Sequence, residues 1–254
     1  MAVSLPSTTL SANDARILTA LFDPETLPSS VARSKDASCI DTSLPPHPTI
    51  PPALLTTLEA EQTALVADIT PTSSAHDIDA ALASLDAIIA QHPEYPSAYV
   101  NRAMLLRMRL EATLSGAHTL FSASLPASSS SHPPSGSTRP VHIDTLFSDL
   151  ALAIHLALPA SAPTAPVSAY CARILRTAYA HRAYLYLKAA DTGAALGGLQ
   201  KSELEERASR DFAAAGRLGD EVAREMSVRT NPYKKMCGAI VREALREEMG
   251  ELDR

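Results

Sequence analysis

Apolar side chains recur at spacings of three and four along most of the chain, which is the period of one face of an α-helix. Eight stretches carry this pattern, and breaks rich in proline and serine separate many of them. The stretches are 53–69, 77–91, 97–114, 144–158, 167–188, 202–218, 220–229 and 232–249. The pattern therefore predicts an all-α fold.

Residues 44–52, 122–140 and 159–166 consist largely of proline, serine and other small residues, a composition that cannot form a buried element. We predict an N-terminal segment, 1–52, with a short amphipathic helix over 15–22 and a proline-rich tether. A helical-repeat domain follows over 53–249, interrupted by loops at 115–141, 159–166 and 191–201, and 250–254 form a tail. We expect 122–140 to be mobile, because nothing there offsets the backbone entropy.

Two helix starts carry local capping signals. Ser202 followed three residues later by Glu205 is typical of a capping box. Asn231 followed by Pro232 is typical of an N-cap with proline at the first helical position. We predict that helices begin at these two points.

The chain contains an internal repeat. The pattern A-Y-x-x-R-A-x-L occurs at 98–105 and again at 178–185, and three other helices carry apolar or small residues at steps of four and three. We predict that these positions pack helix against helix, because small residues let helices approach closely. The predicted packing residues are Tyr99, Ala103, Tyr179 and Ala183, with the triplets Ala81, Leu85, Ile88; Leu146, Leu150, Ala153; and Ala208, Phe212, Ala215.

These patterns resemble the tetratricopeptide repeat, a helix pair with a period of about 34 residues. The resemblance implies a right-handed helical-repeat solenoid of three helix pairs plus a C-terminal helix, with Ser/Pro-rich inserted loops. The pairs are 53–69 with 77–91, 97–114 with 144–158, and 167–188 with 202–218.

A closer resemblance is to the tetratricopeptide repeat protein 36 family. It is carried by R-I-L-T-A-L-F-D-P-E-T at 16–26, Y-x-x-R-A at 99–103, R-D-F at 210–212, R-L-G at 217–219 and N-P-Y-K-K-M-C at 231–237. This resemblance implies a cytosolic adaptor linked with tyrosine metabolism, which binds a client enzyme or an Hsp70-type chaperone.

A repeat solenoid binds its partners through the face formed by the first helix of each pair. The positions one and five residues after the two repeated tyrosines, with their neighbours, predict the lining of a groove. This lining comprises Val100, Asn101, Met104, Ala180, His181 and Tyr184. It is mostly apolar and lacks the lysines and arginines of a chaperone carboxylate clamp, so we expect it to bind an amphipathic helix or a hydrophobic strand.

Candidate chemistry changes this picture little. The sequence contains none of the common nucleophile, phosphate-loop, dinucleotide or zinc-protease motifs, so we predict neither a cofactor nor a bound metal and no enzymatic activity. An enzyme would have to combine residues such as His181, Asp191 and Cys171 across space. That alternative stays open, as does a scaffold that binds through its Ser/Pro loops.

Composition excludes further classes. With 46% hydrophobic and 20% charged residues the chain is globular, and a net charge of −6 opposes binding to nucleic acid. No apolar run reaches the roughly 18 residues that a membrane helix needs. Three widely spaced cysteines indicate neither a zinc site nor a disulfide framework. We therefore expect a cytoplasmic protein without nucleic-acid or membrane partners; a nuclear location and the oligomeric state stay open.

Overall fold

Seven α-helices account for most of the residues that the computed structural model describes, which are 39–70, 72–113, 120–121, 141–159, 165–193, 196–231 and 233. They are α1 (Pro52–Val66), α2 (Ala75–Gln91), α3 (Pro96–Thr113), α4 (Val141–Ala157), α5 (Ala169–Thr192), α6 (Lys201–Arg217) and α7 (Glu221–Thr230). Within these residues the only β contacts are two isolated bridges. The predicted all-α class is confirmed, and each of the seven helices coincides with a predicted stretch to within a few residues.

Short polar side chains begin several of these helices. The Ser74 hydroxyl accepts a hydrogen bond from Asp77 N at 3.2 Å, and the Ser168 hydroxyl accepts one from Cys171 N at 3.1 Å. Each bond satisfies a backbone N–H that has no acceptor within the first helical turn. At the other end of α5, Gly193 takes the left-handed conformation, with φ at 69°, which glycine adopts without steric cost.

The predicted start of α6 at Ser202 is wrong by a small step. The helix begins at Lys201, and Gln200 N donates to Glu203 Oε2 at 2.7 Å. The glutamate of this cap is therefore Glu203, two residues before Glu205, and the N-cap is Gln200, which is not one of the usual N-cap residues Ser, Thr, Asp or Asn. At the end of α7, Asn231 Oδ1 accepts from Tyr233 N at 3.0 Å, which is the bond expected of an N-cap.

The helices pack mainly on their neighbours in the chain. Each helix contacts the next one from α1 to α7, and α3 contacts both α1 and α5. All nine residues of the three predicted triplets are buried, as are Tyr99, Ala103 and Ala183, while Tyr179 is partly buried. Small residues bring α6 and α7 especially close, since a Cβ atom on Gly216 would lie 3.0 Å from Arg224 Cα.

The predicted proline-rich tether lies against the helices where the structure describes it, from Cys39 to the start of α1, although most of its residues are exposed. Ile40 forms a bridge with Val167, just before α5. The Ser168 hydroxyl donates to Pro46 O, and His47 and Ile50 are 4% and 2% exposed. The prolines and the serine stay exposed, as their composition predicts, while His47 contacts the Tyr170 ring and Ile50 joins the core. We call residues 39–51 the strap.

Several predictions lie outside the described residues. These are the amphipathic helix over 15–22, the mobility of 122–140, nearly all of the helix over 232–249 and the tail. In the part of the chain that the structure describes, no helix combines the length and apolar character needed to span a membrane.

Candidate functional site

Each repeated arginine forms a two-pronged ion pair with an aspartate on the following helix. In the first copy, Arg102 on α3 bonds Asp149 on α4, with Nε–Oδ2 at 2.8 Å and Nη2–Oδ1 at 2.6 Å. In the second copy, Arg182 on α5 bonds Asp211 on α6, with Nε–Oδ2 at 2.7 Å and Nη2–Oδ1 at 2.9 Å. The same contact therefore links both helix pairs.

The repeated tyrosines lie under these arginines. The Arg102 guanidinium carbon is 5.6 Å from the centre of the Tyr99 ring, and the Arg182 carbon is 5.6 Å from that of Tyr179. These distances suit a cation–π contact. Both Tyr–Arg pairs are thus engaged inside the fold, which favours a packing role over a ligand-binding one.

The sequence patterns predicted no ion pair for the two aspartates, although Asp211 lies in the R-D-F motif at 210–212. Asp149 and Asp211 are 3% and 6% exposed, and buried acids of this kind need a partner. A signal was present, because each aspartate directly precedes the central large residue of its triplet, Leu150 or Phe212. A charged residue repeated at that position indicates a buried pair.

A second cluster, on α3 and α5, combines cationic and aromatic side chains. Arg107 on α3 lies over the ring of Tyr184 on α5 at 5.4 Å, and Lys188 lies over the same ring at 5.6 Å. His181 is one turn before Tyr184, and Met104 is one turn before Arg107. We call these five residues the α3–α5 stripe.

Polar atoms of the stripe are buried without hydrogen bonds to the described residues. They are Nε of Arg107 and both ring nitrogens of His181, a residue that is 8% exposed. Burial, and then the charge of Arg107, lowers the pKa of His181 to about 4, so the imidazole is neutral at neutral pH. A buried polar group left without a partner costs about 1–3 kcal/mol, so these atoms need a partner such as a water molecule or a ligand.

The predicted groove residues occupy different environments. Met104 is 38% exposed, while Asn101, Ala180 and Tyr184 are partly buried. Val100 is 3% exposed and belongs to the core, so its assignment to an open groove lining is wrong.

The expected apolar character of the groove also needs correction. Arg107 and Lys188 were not among the predicted lining residues, yet they contact the Tyr184 ring. The sequence did carry a signal for them: Arg107 lies three residues after Met104 and Lys188 lies four after Tyr184, so each shares a helix face with a predicted lining residue.

A third polar cluster is centred on Glu59 of α1. Its carboxylate accepts hydrogen bonds from the Tyr95 hydroxyl at 2.6 Å and the Tyr170 hydroxyl at 3.3 Å, and it pairs with Arg173. Burial opposes ionisation of Glu59, but the bonds from Tyr95 and Arg173 outweigh it and lower the pKa. The cluster joins α1 to α5.

The residues of the alternative enzyme reading are not brought together. His181, Asp191 and Cys171 all lie on α5, spaced ten residues apart, which separates successive members by about 15 Å along the helix. The Cys171 thiol donates to Pro46 O at 3.4 Å, and burial raises its pKa. Among the described residues, no group of three His, Cys, Asp or Glu side chains is placed to hold a metal ion.

Two clefts border the strap. One, with a volume of about 110 Å³, lies between Cys39, Leu158, Tyr179 and Arg217. The other, with a volume of about 120 Å³, is lined mostly by proline and aliphatic side chains, among them Leu44 and Val167. Neither cleft includes a residue of the α3–α5 stripe.

The fold and these contacts define an all-α protein built from sequence-related helix pairs. Over 259 aligned residues it is 41% identical to the L-tyrosine degradation gene cluster protein hmgX of Aspergillus fumigatus, covering 94% of this chain and 93% of that protein. The chain belongs to the same family as this relative. No family model matches the chain. No solved structure matches it either.

Proposed function

We propose that the protein is a non-catalytic interaction module of tyrosine degradation, which binds a protein partner through the α3–α5 stripe. The observation that carries this proposal is the stripe itself. It combines an exposed methionine, an aromatic ring in contact with two cations, and buried polar atoms of Arg107 and His181 that make no hydrogen bond to the described residues. Aromatic residues, methionine and arginine are enriched in protein interfaces.

In this proposal the helix pairs form a right-handed solenoid. The pairs are α1 with α2, α3 with α4, and α5 with α6, and the protein is a member of the tetratricopeptide repeat protein 36 family. The repeated Tyr–Arg–Asp contact and the packing of α3 on both α1 and α5 support this arrangement. In such a solenoid the first helices of the pairs share one binding face, and the stripe lies on two of them.

The link to tyrosine degradation rests on the relative, whose name assigns it to an L-tyrosine degradation gene cluster. The partner in this proposal is an enzyme of that pathway, held in the cytosol. An Hsp70-type chaperone is the alternative partner.

The test is co-precipitation of the tagged full chain from an extract of the organism that makes it, grown on tyrosine, with mass spectrometry of the bound proteins. We expect enzymes of tyrosine breakdown to be captured by the wild type and lost with Met104→Glu or Tyr184→Ala. The matched control is Val222→Glu, which places the same charge at a valine of α7 that is 72% exposed.

The outcomes separate the alternatives. Capture of an Hsp70-type chaperone in place of a metabolic enzyme identifies a co-chaperone. Capture that is equal for wild type, Met104→Glu and Tyr184→Ala contradicts a role for the stripe.

A further inference from the structure

Unsatisfied polar atoms concentrate in the α3–α5 stripe. Five buried side-chain nitrogen and oxygen atoms among the described residues have no hydrogen-bond partner, and three of them belong to Arg107 and His181. The other two, on His47 and Gln62, belong to residues whose side chains make hydrogen bonds through a second atom. Both ring nitrogens of His181 and Nε of Arg107 make no hydrogen bond to the described residues, so the stripe presents polar atoms with which a bound ligand can pair.

The charges around these atoms indicate whether the stripe favours an anion or a cation as its ligand. Arg107 and Lys188 bring two positive charges to the Tyr184 ring. The acidic side chain paired with Arg107 is Glu111, which is 44% exposed and whose Oε1 lies 3.7 Å from Nε, beyond hydrogen-bonding distance. Burial and Arg107 keep the His181 ring neutral, so the ring supplies one N–H donor and one acceptor. The stripe therefore favours an anion.

We propose that the α3–α5 stripe binds a carboxylate, with Arg107, Lys188 and His181 as hydrogen-bond donors and with Tyr184 and Met104 as the surface for its apolar part. This deepens the proposed function, on which it rests for the assumption that the stripe is the binding surface. A carboxylate with an apolar body fits better than inorganic phosphate, because exposed Met104 and the Tyr184 ring offer apolar surface beside the cations that inorganic phosphate cannot use.

The carboxylate has two possible sources. One is an acidic side chain or C-terminus of a protein segment, and the other is a small free acid with an apolar body. Both present two acceptor oxygens to a guanidinium and an ammonium group. The experiment distinguishes them by using one probe of each kind.

The experiment follows the His181 ring by NMR in the full chain labelled at histidine, with its resonances identified by their loss in His181→Gln. The small probes are sodium phenylacetate and its uncharged isostere phenylacetamide. The peptide probes are acetyl-Ala-Leu-Glu-Leu-Ala-amide and the same peptide with Gln for Glu. Inorganic phosphate is the competing anion.

We expect a carboxylate probe to shift the His181 ring signals saturably and to raise the pKa of that ring by at least half a unit, because an anion beside it stabilises the imidazolium. The matching amide should bind at least tenfold more weakly. Lys188→Gln and Arg107→Gln should each weaken carboxylate binding at least fivefold. Arg210→Gln is the control, since Arg210 is 72% exposed and pairs with Glu206 on α6.

Lys188→Gln keeps the test valid if Arg107→Gln fails to fold, because Lys188 is exposed. Binding of phenylacetate alone identifies a small-acid site, and binding of the Glu peptide alone identifies a protein segment; both support the proposal. Equal binding of acid and amide, tighter binding of phosphate, or unchanged binding in Lys188→Gln overturns it. Capture of tyrosine-breakdown enzymes together with any of these results leaves the proposed function standing and removes only the carboxylate assignment.

Discussion

At the scale of single residues, the buried ion pairs Arg102–Asp149 and Arg182–Asp211 occupy equivalent positions in the two copies of the repeat. The two arginines differ in how many carboxylates they contact. Among the described residues, Asp211 is the only carboxylate that bonds Arg182, whereas Arg102 bonds Asp149 and also Asp86, with Nη1–Oδ1 at 2.7 Å. Removing one member of a buried pair is costly because the other charge stays behind without compensation. The second copy of the repeat therefore depends more strongly on its aspartate.

This difference predicts unequal effects of Asp211→Asn and Asp149→Asn. Asp211→Asn should lower the free energy of unfolding by about 3 kcal/mol, because it leaves the half-buried Arg182 guanidinium without its carboxylate. Asp149→Asn should lower it by about 1–2 kcal/mol, because Arg102 keeps Asp86. Urea denaturation measures both, and equal losses would contradict the prediction.

The control for this comparison is Glu206→Gln. Glu206 pairs with Arg210 on the surface of α6, and both side chains are exposed. An exposed pair of this kind contributes about 0.5 kcal/mol or less.

His181 predicts a pH dependence of stability. Because its pKa is lowered from 6.5 to about 4 in the folded protein, the unfolded chain binds a proton in that window and the folded one does not. Stability contributed by the neutral ring is complete above pH 6.5 and decreases as the pH falls toward 4. Between pH 7 and pH 5 the free energy of unfolding should fall by about 2 kcal/mol from this residue.

Urea denaturation of wild type and His181→Gln at both pH values measures this contribution. The fall from pH 7 to pH 5 should be smaller in the variant. Parallel pH profiles for the two proteins would show that His181 titrates normally.

At the scale of elements, the two copies of the repeat differ in the length of their first helix. α3 has three residues before Tyr99, and α5 has ten before Tyr179, so α5 is longer at its start by about two turns. The added turns carry Tyr170 and Arg173, which reach Glu59 on α1. Tyr99 instead lies in the first turn of α3, and its hydroxyl donates to Pro93 O at 3.0 Å.

The close contact of α6 and α7 predicts that replacing Gly216 by alanine destabilises the protein, which is the opposite of the usual effect in a helix. Alanine stabilises an ordinary helix by about 1 kcal/mol relative to glycine. At Gly216 the added Cβ would lie 3.0 Å from Arg224 Cα and 3.1 Å from its Cβ, so α7 would have to move. We expect Gly216→Ala to lower the free energy of unfolding by about 1 kcal/mol, because overpacking outweighs helix propensity.

Chemical denaturation followed by circular dichroism checks this prediction. Ala213→Gly, at an exposed position of the same helix, should follow the ordinary rule and lose about 1 kcal/mol. If the Gly216→Ala protein were more stable than the wild type, α7 would be able to move away from the added methyl group without loss of stability, and the prediction would be wrong.

At the scale of the whole molecule, two long-range connections join the start of the described chain to α5. The strap pairs Ile40 with Val167 and covers the first turn of α5. The Glu59 cluster joins α1 to the same helix. α5 therefore contacts α1 and the strap in addition to α3, α4 and α6.

The strap predicts a measurable loss on truncation. A chain that begins at Cys39 keeps the strap, and one that begins at Pro51 loses it together with buried His47 and Ile50. We expect the shorter chain to melt at least about 5 °C lower, because a loss of about 2 kcal/mol shifts Tm by 4–8 °C in a domain of this size. Differential scanning calorimetry measures the difference.

Both truncated chains lack residues 1–38, so the comparison isolates the strap. Ile50→Ala in the full chain removes only one buried side chain of the strap, so it should lower the melting temperature by less than the truncation does. Equal melting temperatures for the two truncated chains would show that the strap lies on the helices without stabilising them.

Features decided by neighbouring residues could be predicted from the sequence. The seven helices followed from apolar spacing, and the buried triplets followed because residues three or four apart share a helix face. The local pattern at the start of α6 was misleading, because Ser202 with Glu205 fits the usual capping box, whereas Gln200 with Glu203 forms the cap.

Features that join distant segments were decided by tertiary structure. The sequence by itself determined that Arg102 and Arg182 repeat, but their aspartates lie 47 and 29 residues away and depend on which helices pack. The burial of the strap depends on contacts more than 120 residues apart, and Glu59 depends on contacts more than 110 apart. The cations of the stripe likewise converge on one ring from two helices. Periodicity specifies which face of a helix is buried, whereas only packing of the whole chain specifies what that face meets.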